Sequence, residues 1–200
     1  MQKNILFLFF ILSSLLTRAS DIDTLKVYSK SMNKLIKNII IIPEKISNKE
    51  PLPVVYLLHG HTDKSDTWLK IAPQIVDYAD KYNVIIVCPD GGYSSWYLDS
   101  PINKQIKYET YITKELIKVV DTKYNTLKNR SGRAITGLSM GGHGAFYLSF
   151  KHQNLWGAAG SISGGLDITP YYPEGGESRW NLIEALGNQK EFPENWKNNS

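Results

Sequence analysis

Residues 133–146 read Arg-Ala-Ile-Thr-Gly-Leu-Ser-Met-Gly-Gly-His-Gly-Ala-Phe. A short strand-like run, Arg133–Thr136, leads into a turn, and the chain continues with a helical pattern over Gly142–Lys151. Between them, Gly137–Gly141 form the pattern Gly-x-Ser-x-Gly in a strand-to-helix setting. Because glycine leaves room for neighbouring backbone, the pattern predicts that Ser139 lies on a tight, strained turn with its hydroxyl exposed.

Ser139 is the candidate nucleophile of this turn. A serine in that position carries its hydroxyl above the sheet and at the start of the next helix, where backbone N–H groups stabilise negative charge. Gly137, Gly141 and Gly142 are the glycines that let strand and helix backbones approach it. The simpler alternative is a glycine-rich turn in which Ser139 only caps the helix. The strand before the turn and the helix after it favour the nucleophile.

A second motif, Leu57-Leu58-His59-Gly60-His61-Thr62, places a glycine directly after an apolar strand. Serine hydrolases with a strand–turn–helix nucleophile bind the oxyanion with two backbone N–H groups. One belongs to the residue after the nucleophile and one to the loop after an earlier strand. In this hypothesis Met140 supplies the first and His61 the second, through its backbone and not its imidazole. The alternative is that Gly60 only allows the chain to turn.

The rest of the chain alternates apolar runs with amphipathic segments. The first two predicted strands, 24–32 and 34–42, have no helix between them and are expected to pair antiparallel. Later strands are continuously apolar, as in strands buried on both faces, and helical spacing separates them. The fold class is therefore α/β, a mostly parallel sheet flanked by helices. The later strands are predicted at 53–58, 84–88, 133–136 and 155–162, and the helices at 67–82, 108–124 and 142–151. Within 67–82, Pro73 is a candidate helix start.

Composition excludes several classes of function. The 200 residues include 23 Lys and Arg against 19 Asp and Glu, a net charge of +4. Because the basic residues are scattered, nucleic acid is not an expected partner. The single cysteine, Cys88, excludes an intrachain disulfide framework and a multi-cysteine metal site. No metal or other cofactor is expected, and composition leaves the oligomeric state open.

Residues 1–19 are expected to be a secretory signal peptide and not part of the fold. Lys3 precedes an apolar run of about a dozen residues, as in signal peptides. Such a run is shorter than the roughly 20 residues that span a bilayer. Thr17 and Ala19 are small residues that fit cleavage after Ala19. The alternative is a buried N-terminal helix. The prediction is a secreted or periplasmic protein without a stable membrane anchor, whose domain occupies residues 20–200.

Several separated motifs agree in order and spacing with one family. They are Gly137–Gly142 and the segments Pro89-Asp90-Gly91-Gly92-Tyr93, Ser95-Trp96-Tyr97, Tyr108-Glu109-Thr110-Tyr111 and Ala159-Gly160-Ser161-Ile162-Ser163-Gly164. Over residues 50–165 the chain resembles the esterase D-type esterases, which include S-formylglutathione hydrolases, feruloyl and acetyl esterases and mycolyltransferases. The resemblance implies an α/β-hydrolase fold and an acyl-enzyme intermediate on Ser139. A small-molecule or carbohydrate ester is then the expected substrate.

Trp96 and Tyr97 are candidate substrate-binding residues. They follow the fourth predicted strand, at the carboxyl end of the sheet, where open α/β sheets bind ligands. Packing within the loop is an equally good explanation of the two aromatic side chains.

The chain offers no clear acid and base for a catalytic triad. His59 and His61 precede Ser139, whereas the triad order in this fold is serine, acid, histidine. His143 lies on the nucleophile helix and His152 at its far end, so neither is the expected base. We therefore expect an α/β-hydrolase domain that is truncated at its C-terminus and inactive as this chain alone.

Two alternatives stay open. The chain can be a natural one that has lost its base, and it then serves as a non-catalytic carbohydrate-binding relative using Trp96, Tyr97, Tyr171 and Tyr172. If the protein is an enzyme, acyl transfer to a sugar is the alternative to hydrolysis.

Overall fold

The computed structural model describes residues 20–44, 50–172 and 179–200. The expected signal peptide, residues 1–19, lies outside these ranges, so that prediction is not tested. Across the described ranges, no helix has the length and apolar character needed to cross a membrane.

The described residues form a six-stranded sheet. Its strands are β1 (Asp21–Ser29), β2 (Lys34–Ile42), β3 (Val54–Leu58), β4 (Ile85–Pro89), β5 (Arg133–Gly137) and β6 (Ala158–Ala159). Their order across the sheet is β1-β2-β4-β3-β5-β6. β1 pairs antiparallel with β2, and β2 antiparallel with β4, whereas β4, β3, β5 and β6 run parallel to one another. The antiparallel start and the parallel remainder confirm the predicted topology.

Helices cover both faces of the sheet. They are α1 (Thr67–Ile71), α2 (Ile75–Tyr82), α3 (Tyr108–Thr110), α4 (Ile117–Lys123), α5 (Met140–Lys151), α6 (Leu182–Leu186) and α7 (Pro193–Lys197), with a π-helical segment, Tyr111–Leu116, joining α3 to α4. Alternate strand residues point to opposite faces. Ile40, Tyr56 and Val87 pack in the larger core with α4 and α5, and Ile41, Leu57 and Ile86 pack in the smaller core with α1 and α2. The predicted α/β class is confirmed.

Four elements differ from their predicted extents. The strand predicted at 24–32 is β1, Asp21–Ser29, because residues 30–33 form the tight turn into β2. The helix predicted at 67–82 is two helices, because Pro73 lies between them and proline both lacks an N–H donor and keeps the preceding residue out of helical conformation. The helix predicted at 108–124 has nearly the right length but contains the π segment. The strand predicted at 155–162 is confined to Ala158–Ala159 and an isolated bridge between Leu138 and Ile162. Glycines at 157 and 160 flank that short strand and weaken it.

Candidate active site

Ser139 connects β5 to α5 in a conformation that residues with a side chain rarely adopt. Its φ is 54° and its ψ is −115°, and its side chain is exposed while the next residue, Met140, is buried. The Ser139 N–H donates to the Ile162 carbonyl at 2.8 Å, which fixes the turn beside the end of β6. A left-handed φ of this kind costs about 1–3 kcal/mol at a non-glycine residue. The described turn therefore has the strain and the exposed hydroxyl that the sequence predicts.

The glycines around Ser139 are places of close backbone approach. A Cβ added to Gly141 would lie 2.5 Å from the Leu58 carbonyl oxygen, at the end of β3, and one on Gly137 would lie 2.5 Å from the Gly141 carbonyl oxygen. A Cβ on Gly142 would lie 2.7 Å from Ser161 Oγ. Because real Cβ atoms do not approach that closely, each position requires glycine for the turn to pack as it does.

The loop after β3 passes beside Ser139. A Cβ added to Gly60 would lie 3.8 Å from Ser139 Cβ, and the loop is tied down by a 2.8 Å hydrogen bond from the Thr62 N–H to the Tyr93 carbonyl. Among the described residues, no acceptor pairs with the backbone N–H of His61 or with that of Met140. The two N–H groups assigned to an oxyanion hole are therefore both unpaired; one belongs to the residue after Ser139 and the other to the residue after Gly60.

A cavity of about 350 Å³ opens at Ser139. Aromatic side chains dominate its wall, and the described residues that line it include neither an acidic residue nor a lysine or arginine. The lining residues are His61, Trp96, Ser139, Ser163, Gly165, Pro170, Tyr171, Tyr172 and Trp180. An uncharged, aromatic cavity of this size suits a small neutral group with a flat apolar face.

The structure separates the two aromatic residues proposed for substrate binding. Trp96 lines the cavity, and its Nε1 donates to the Trp180 carbonyl at 3.2 Å. Tyr97 is completely buried and is not among the residues that line the cavity. Its hydroxyl accepts from the His59 N–H at 3.0 Å and donates to the His59 carbonyl at 3.2 Å. Tyr97 therefore corrects the sequence prediction, since it holds the start of the loop after β3 and does not face a ligand.

Trp180 is a lining residue that the sequence analysis missed. It lies far along the chain from Ser139, within the turn Arg179–Asn181, and its φ of 73° is again left-handed. Its ring packs edge-on against His61, with the ring centroids 5.4 Å apart. An isolated tryptophan after a glycine-rich segment carries no pattern that would place it at the site.

Left-handed backbone is concentrated at this cavity. Of the non-glycine residues with positive φ, Trp96, Ser139, Ser163 and Trp180 line it, and Thr62 follows His61 directly. Such residues persist only where surrounding structure holds them, and they cluster at functional sites.

Two of the four histidines of the chain, His59 and His143, have a hydrogen-bond partner at both ring nitrogens. His59 donates from Nδ1 to the Gly60 carbonyl at 2.8 Å and accepts at Nε2 from the Gly91 N–H at 2.7 Å. The His143 nitrogens face the carbonyl oxygens of Trp96 and Asn199, at 3.2 and 2.9 Å.

His152 lies at the far end of α5 with Nε2 2.8 Å from Glu109 Oε1. Its position fits the expectation that it does not reach the serine. Of the four, only His61 lines the cavity.

Burial lowers the pKa of His59 and of His143. At His59 the neighbouring Asp90 and Asp63 carboxylates oppose that shift, and at His143 the two carbonyl contacts oppose it. Both rings are therefore neutral at neutral pH, and their hydrogen bonds hold loops in place.

The family model Esterase, described as "Putative esterase", matches residues 29–200. An esterase of Mycobacterium tuberculosis is 30% identical over 130 residues, which cover 64% of this chain and 28% of that protein. The acetyl esterase of Caldicellulosiruptor saccharolyticus is 30% identical over 149 residues, or 70% of this chain and 55% of that protein. The chain thus spans between about a quarter and just over half of these two relatives.

Solved structures give the same fold. A ferulic acid esterase superposes with a TM-score of 0.71 at 27% identity, covering 89% of this chain and 69% of that one. The fold of the described residues is thus that of α/β-hydrolase esterases, as the sequence motifs imply.

Proposed function

Because this chain belongs to the Esterase family, we propose that the protein is a serine carboxylic ester hydrolase whose nucleophile is Ser139. One observation carries the proposal. An exposed serine, held in left-handed conformation at the start of α5, opens into an uncharged cavity beside two unpaired backbone N–H groups. This is the arrangement that acyl transfer through a serine requires.

The proposed reaction has two steps. Ser139 Oγ attacks the ester carbonyl carbon, and the His61 and Met140 N–H groups stabilise the negative charge that develops on the carbonyl oxygen. Collapse of this tetrahedral species expels the alcohol, which takes a proton, and leaves the acyl group on Ser139. Attack by water then releases the carboxylic acid and restores the serine.

The base that takes the serine proton is proposed to lie outside these 200 residues. His59 and His143 use both ring nitrogens in other contacts and His152 uses its Nε2, and none of those contacts involves Ser139. The remaining histidine, His61, makes no hydrogen bond to Ser139. We therefore propose that the acid and base of the triad are supplied by a longer form of the protein.

An acylated carbohydrate or a similar small ester, met outside the cytoplasm, is the proposed substrate. The aromatic wall of the cavity supports a sugar or another ring, and the acetyl esterase relative supports a short acyl group. The basic, apolar and small-residue pattern of residues 1–19 supports export. N-terminal sequencing of the exported protein, expected to begin at Ser20, tests that part of the proposal.

Fluorophosphonate labelling tests the nucleophile. We expect the full-length gene product to be labelled on the peptide that carries Ser139, and the variant Ser139→Ala to lose both the label and at least about 10³-fold of its rate on 4-nitrophenyl acetate. Ser149→Ala is the matched control, because it makes the same change near the other end of α5. Mapping the labelled peptide is essential since Ser163 lines the same cavity. A label on Ser163, or undiminished labelling of Ser139→Ala, would refute the proposal.

The 200-residue chain provides a second arm of the same experiment. We expect it to turn over 4-nitrophenyl acetate barely above the uncatalysed rate, because none of the described histidines hydrogen-bonds Ser139. Rapid turnover that Ser139→Ala abolishes would show that these residues contain their own base.

Acyl transfer is separated from hydrolysis by analysing the products in the presence of a competing sugar alcohol.

A further inference from the structure

The buried imidazole of His143 contacts a residue of the cavity wall without lining the cavity itself. His143 lies one helical turn after Ser139, whose carbonyl accepts from the His143 N–H at 3.0 Å. Its ring packs edge-on against that of Trp96, with centroids 5.3 Å apart, and stacks with the ring of Tyr147 at 5.6 Å. His143 Nδ1 lies 3.2 Å from the Trp96 carbonyl oxygen. Trp96 is a lining residue of the cavity, so His143 adjoins a side chain that can meet a ligand.

The backbone at Trp96 needs support from its surroundings. Trp96 and Tyr97 are consecutive non-glycine residues with left-handed φ, 53° and 59°. Each residue of this kind costs about 1–3 kcal/mol and persists only where other contacts hold it. Ser95 Oγ accepts from the Tyr97 N–H at 3.0 Å, which holds the second residue of the pair. Among the described residues, His143 is the only hydrogen-bonding partner of the Trp96 carbonyl.

His143 also faces a second carbonyl, because its Nε2 lies 2.9 Å from the Asn199 oxygen. A neutral imidazole carries a single N–H, so it donates to one of the two carbonyls. The Asn199 contact is the shorter, but Asn199 is also held by its side chain and its N–H, which donate to the carbonyls of Asn195 and Trp196. The Trp96 carbonyl belongs to a buried residue and has no other described donor. The Nδ1–H tautomer thus satisfies the carbonyl that depends on His143.

We propose that His143 is a positioning residue, which donates from Nδ1 to the Trp96 carbonyl and so holds the Trp96 indole in the cavity wall. The inference rests on the proposed esterase function and adds a residue that acts on ester binding without touching the ester. Loss of this bond releases the strained backbone of Trp96, and the indole then no longer keeps its place in the wall. The chemistry at Ser139 does not use the imidazole. The signature is therefore a lower kcat/KM with an unchanged kcat.

Two amide variants of the full-length gene product separate the two contacts of the ring. The amide nitrogen of asparagine lies near the position of Nδ1, and that of glutamine near the position of Nε2. With 4-nitrophenyl acetate, we expect His143→Gln to lower kcat/KM about fivefold, as one lost neutral hydrogen bond predicts, and to leave kcat within about twofold of wild type. His143→Asn should restore most of kcat/KM. A packing role alone would give the reverse order, because glutamine fills more of the space.

A double variant shows whether His143 acts through Trp96. In a Trp96→Ala background, His143→Gln should cause no further loss of kcat/KM, since the indole that it positions is absent. Additive losses, or equal losses in His143→Gln and His143→Asn, would overturn the inference. So would an imidazole nitrogen NMR spectrum of the wild-type protein in which Nε2 of His143, and not Nδ1, carries the proton. The spectrum needs no variant to fold.

The nucleophile variant separates failure of this inference from failure of the proposed function. If Ser139→Ala keeps the wild-type rate on 4-nitrophenyl acetate, the esterase proposal fails, and this inference fails with it. If Ser139→Ala is inactive while His143→Gln matches wild type in kcat/KM, the positioning role alone is refuted.

Discussion

Ser139, the proposed nucleophile, occupies a strained backbone conformation. Its φ of 54° exposes the hydroxyl at the start of α5, in a backbone region that glycine adopts freely and other residues do not. The side chain that makes the turn useful is thus also the side chain that makes it strained. The strained conformation is held by close packing: Gly137, at the end of β5, lies against Gly141, and Gly141 lies against the end of β3.

The strain predicts opposite effects of glycine at two serines. We expect Ser139→Gly to be more stable than Ser139→Ala by about 1 kcal/mol, because only alanine keeps the Cβ in the left-handed conformation. Ser149, inside α5, is the control: there Ser149→Gly should be less stable than Ser149→Ala by about 1 kcal/mol. Urea unfolding of the four variants measures both differences. An alanine variant at 139 as stable as the glycine variant would contradict the assignment of strain.

Individual site residues are predictable from the sequence where they belong to a short, local motif. Ser139, its glycines and the loop of His61 follow from spacing within short segments, and the structure brings these segments together. The imidazole of His61 and the ring of Trp180 meet only through the fold, so no local pattern predicts that contact. The same holds for Tyr97, which a motif places beside Trp96 but which the fold buries under His59.

Among the elements, the loop after β4 and the loop after β3 act as one unit. Tyr97 connects them, since its hydroxyl pairs with both the N–H and the carbonyl of His59, and the Gly91 N–H donates to the His59 ring. The position of the proposed oxyanion loop therefore depends on a tyrosine that is not among the residues lining the cavity.

Removing that hydroxyl should loosen the unit. We expect Tyr97→Phe to lower the free energy of unfolding by about 1–3 kcal/mol, because the buried His59 N–H loses its acceptor. Tyr93→Phe, in the same loop but with an exposed side chain, should change it by less than about 0.5 kcal/mol. Urea unfolding measures both variants. Equal, small effects would mean that the two loops are held together by other contacts.

Elements were predictable where hydrophobic periodicity is strong. β2 matches its predicted bounds, and the helical pattern from Tyr108 onward gives the right length. The break at Pro73 and the short β6 were predicted less well, because both depend on how one proline or two glycines compete with the surrounding pattern. The π segment has no sequence signal of its own.

At the scale of the whole molecule, neutral buried histidines make the fold sensitive to acid. Burial lowers the pKa of His59, His61 and His143, so the unfolded chain binds protons more readily than the folded one. Their contribution to stability is complete above the unfolded pKa of about 6.5 and is lost as the pH falls below it. Carboxylates whose pKa is lowered, such as Glu109, lose their contribution only below about pH 4.5.

We therefore expect the free energy of unfolding to be constant from pH 8 to 7 and to decline between pH 6.5 and 5. The slope has a ceiling of about 1.4 kcal/mol per pH unit for each proton taken up. Urea unfolding at a series of pH values gives the slope, and His59→Gln should make it shallower because one titrating ring is gone. A free energy that stays flat down to pH 5 would show that these rings are not held neutral by the fold.

The strand order has a consequence for when the proposed site forms during folding. β3 carries the oxyanion loop and β5 carries Ser139, and the two strands are neighbours in the sheet although α1, α2, β4, α3 and α4 lie between them along the chain. Pairings between distant segments form slowly, since the entropy of closing a long loop is lost before any contact energy is gained. A newly made or unfolded chain thus carries its serine with no oxyanion site beside it. In the proposed mechanism the oxyanion site forms only when the middle of the sheet closes, so ester turnover by the full-length protein requires that closure.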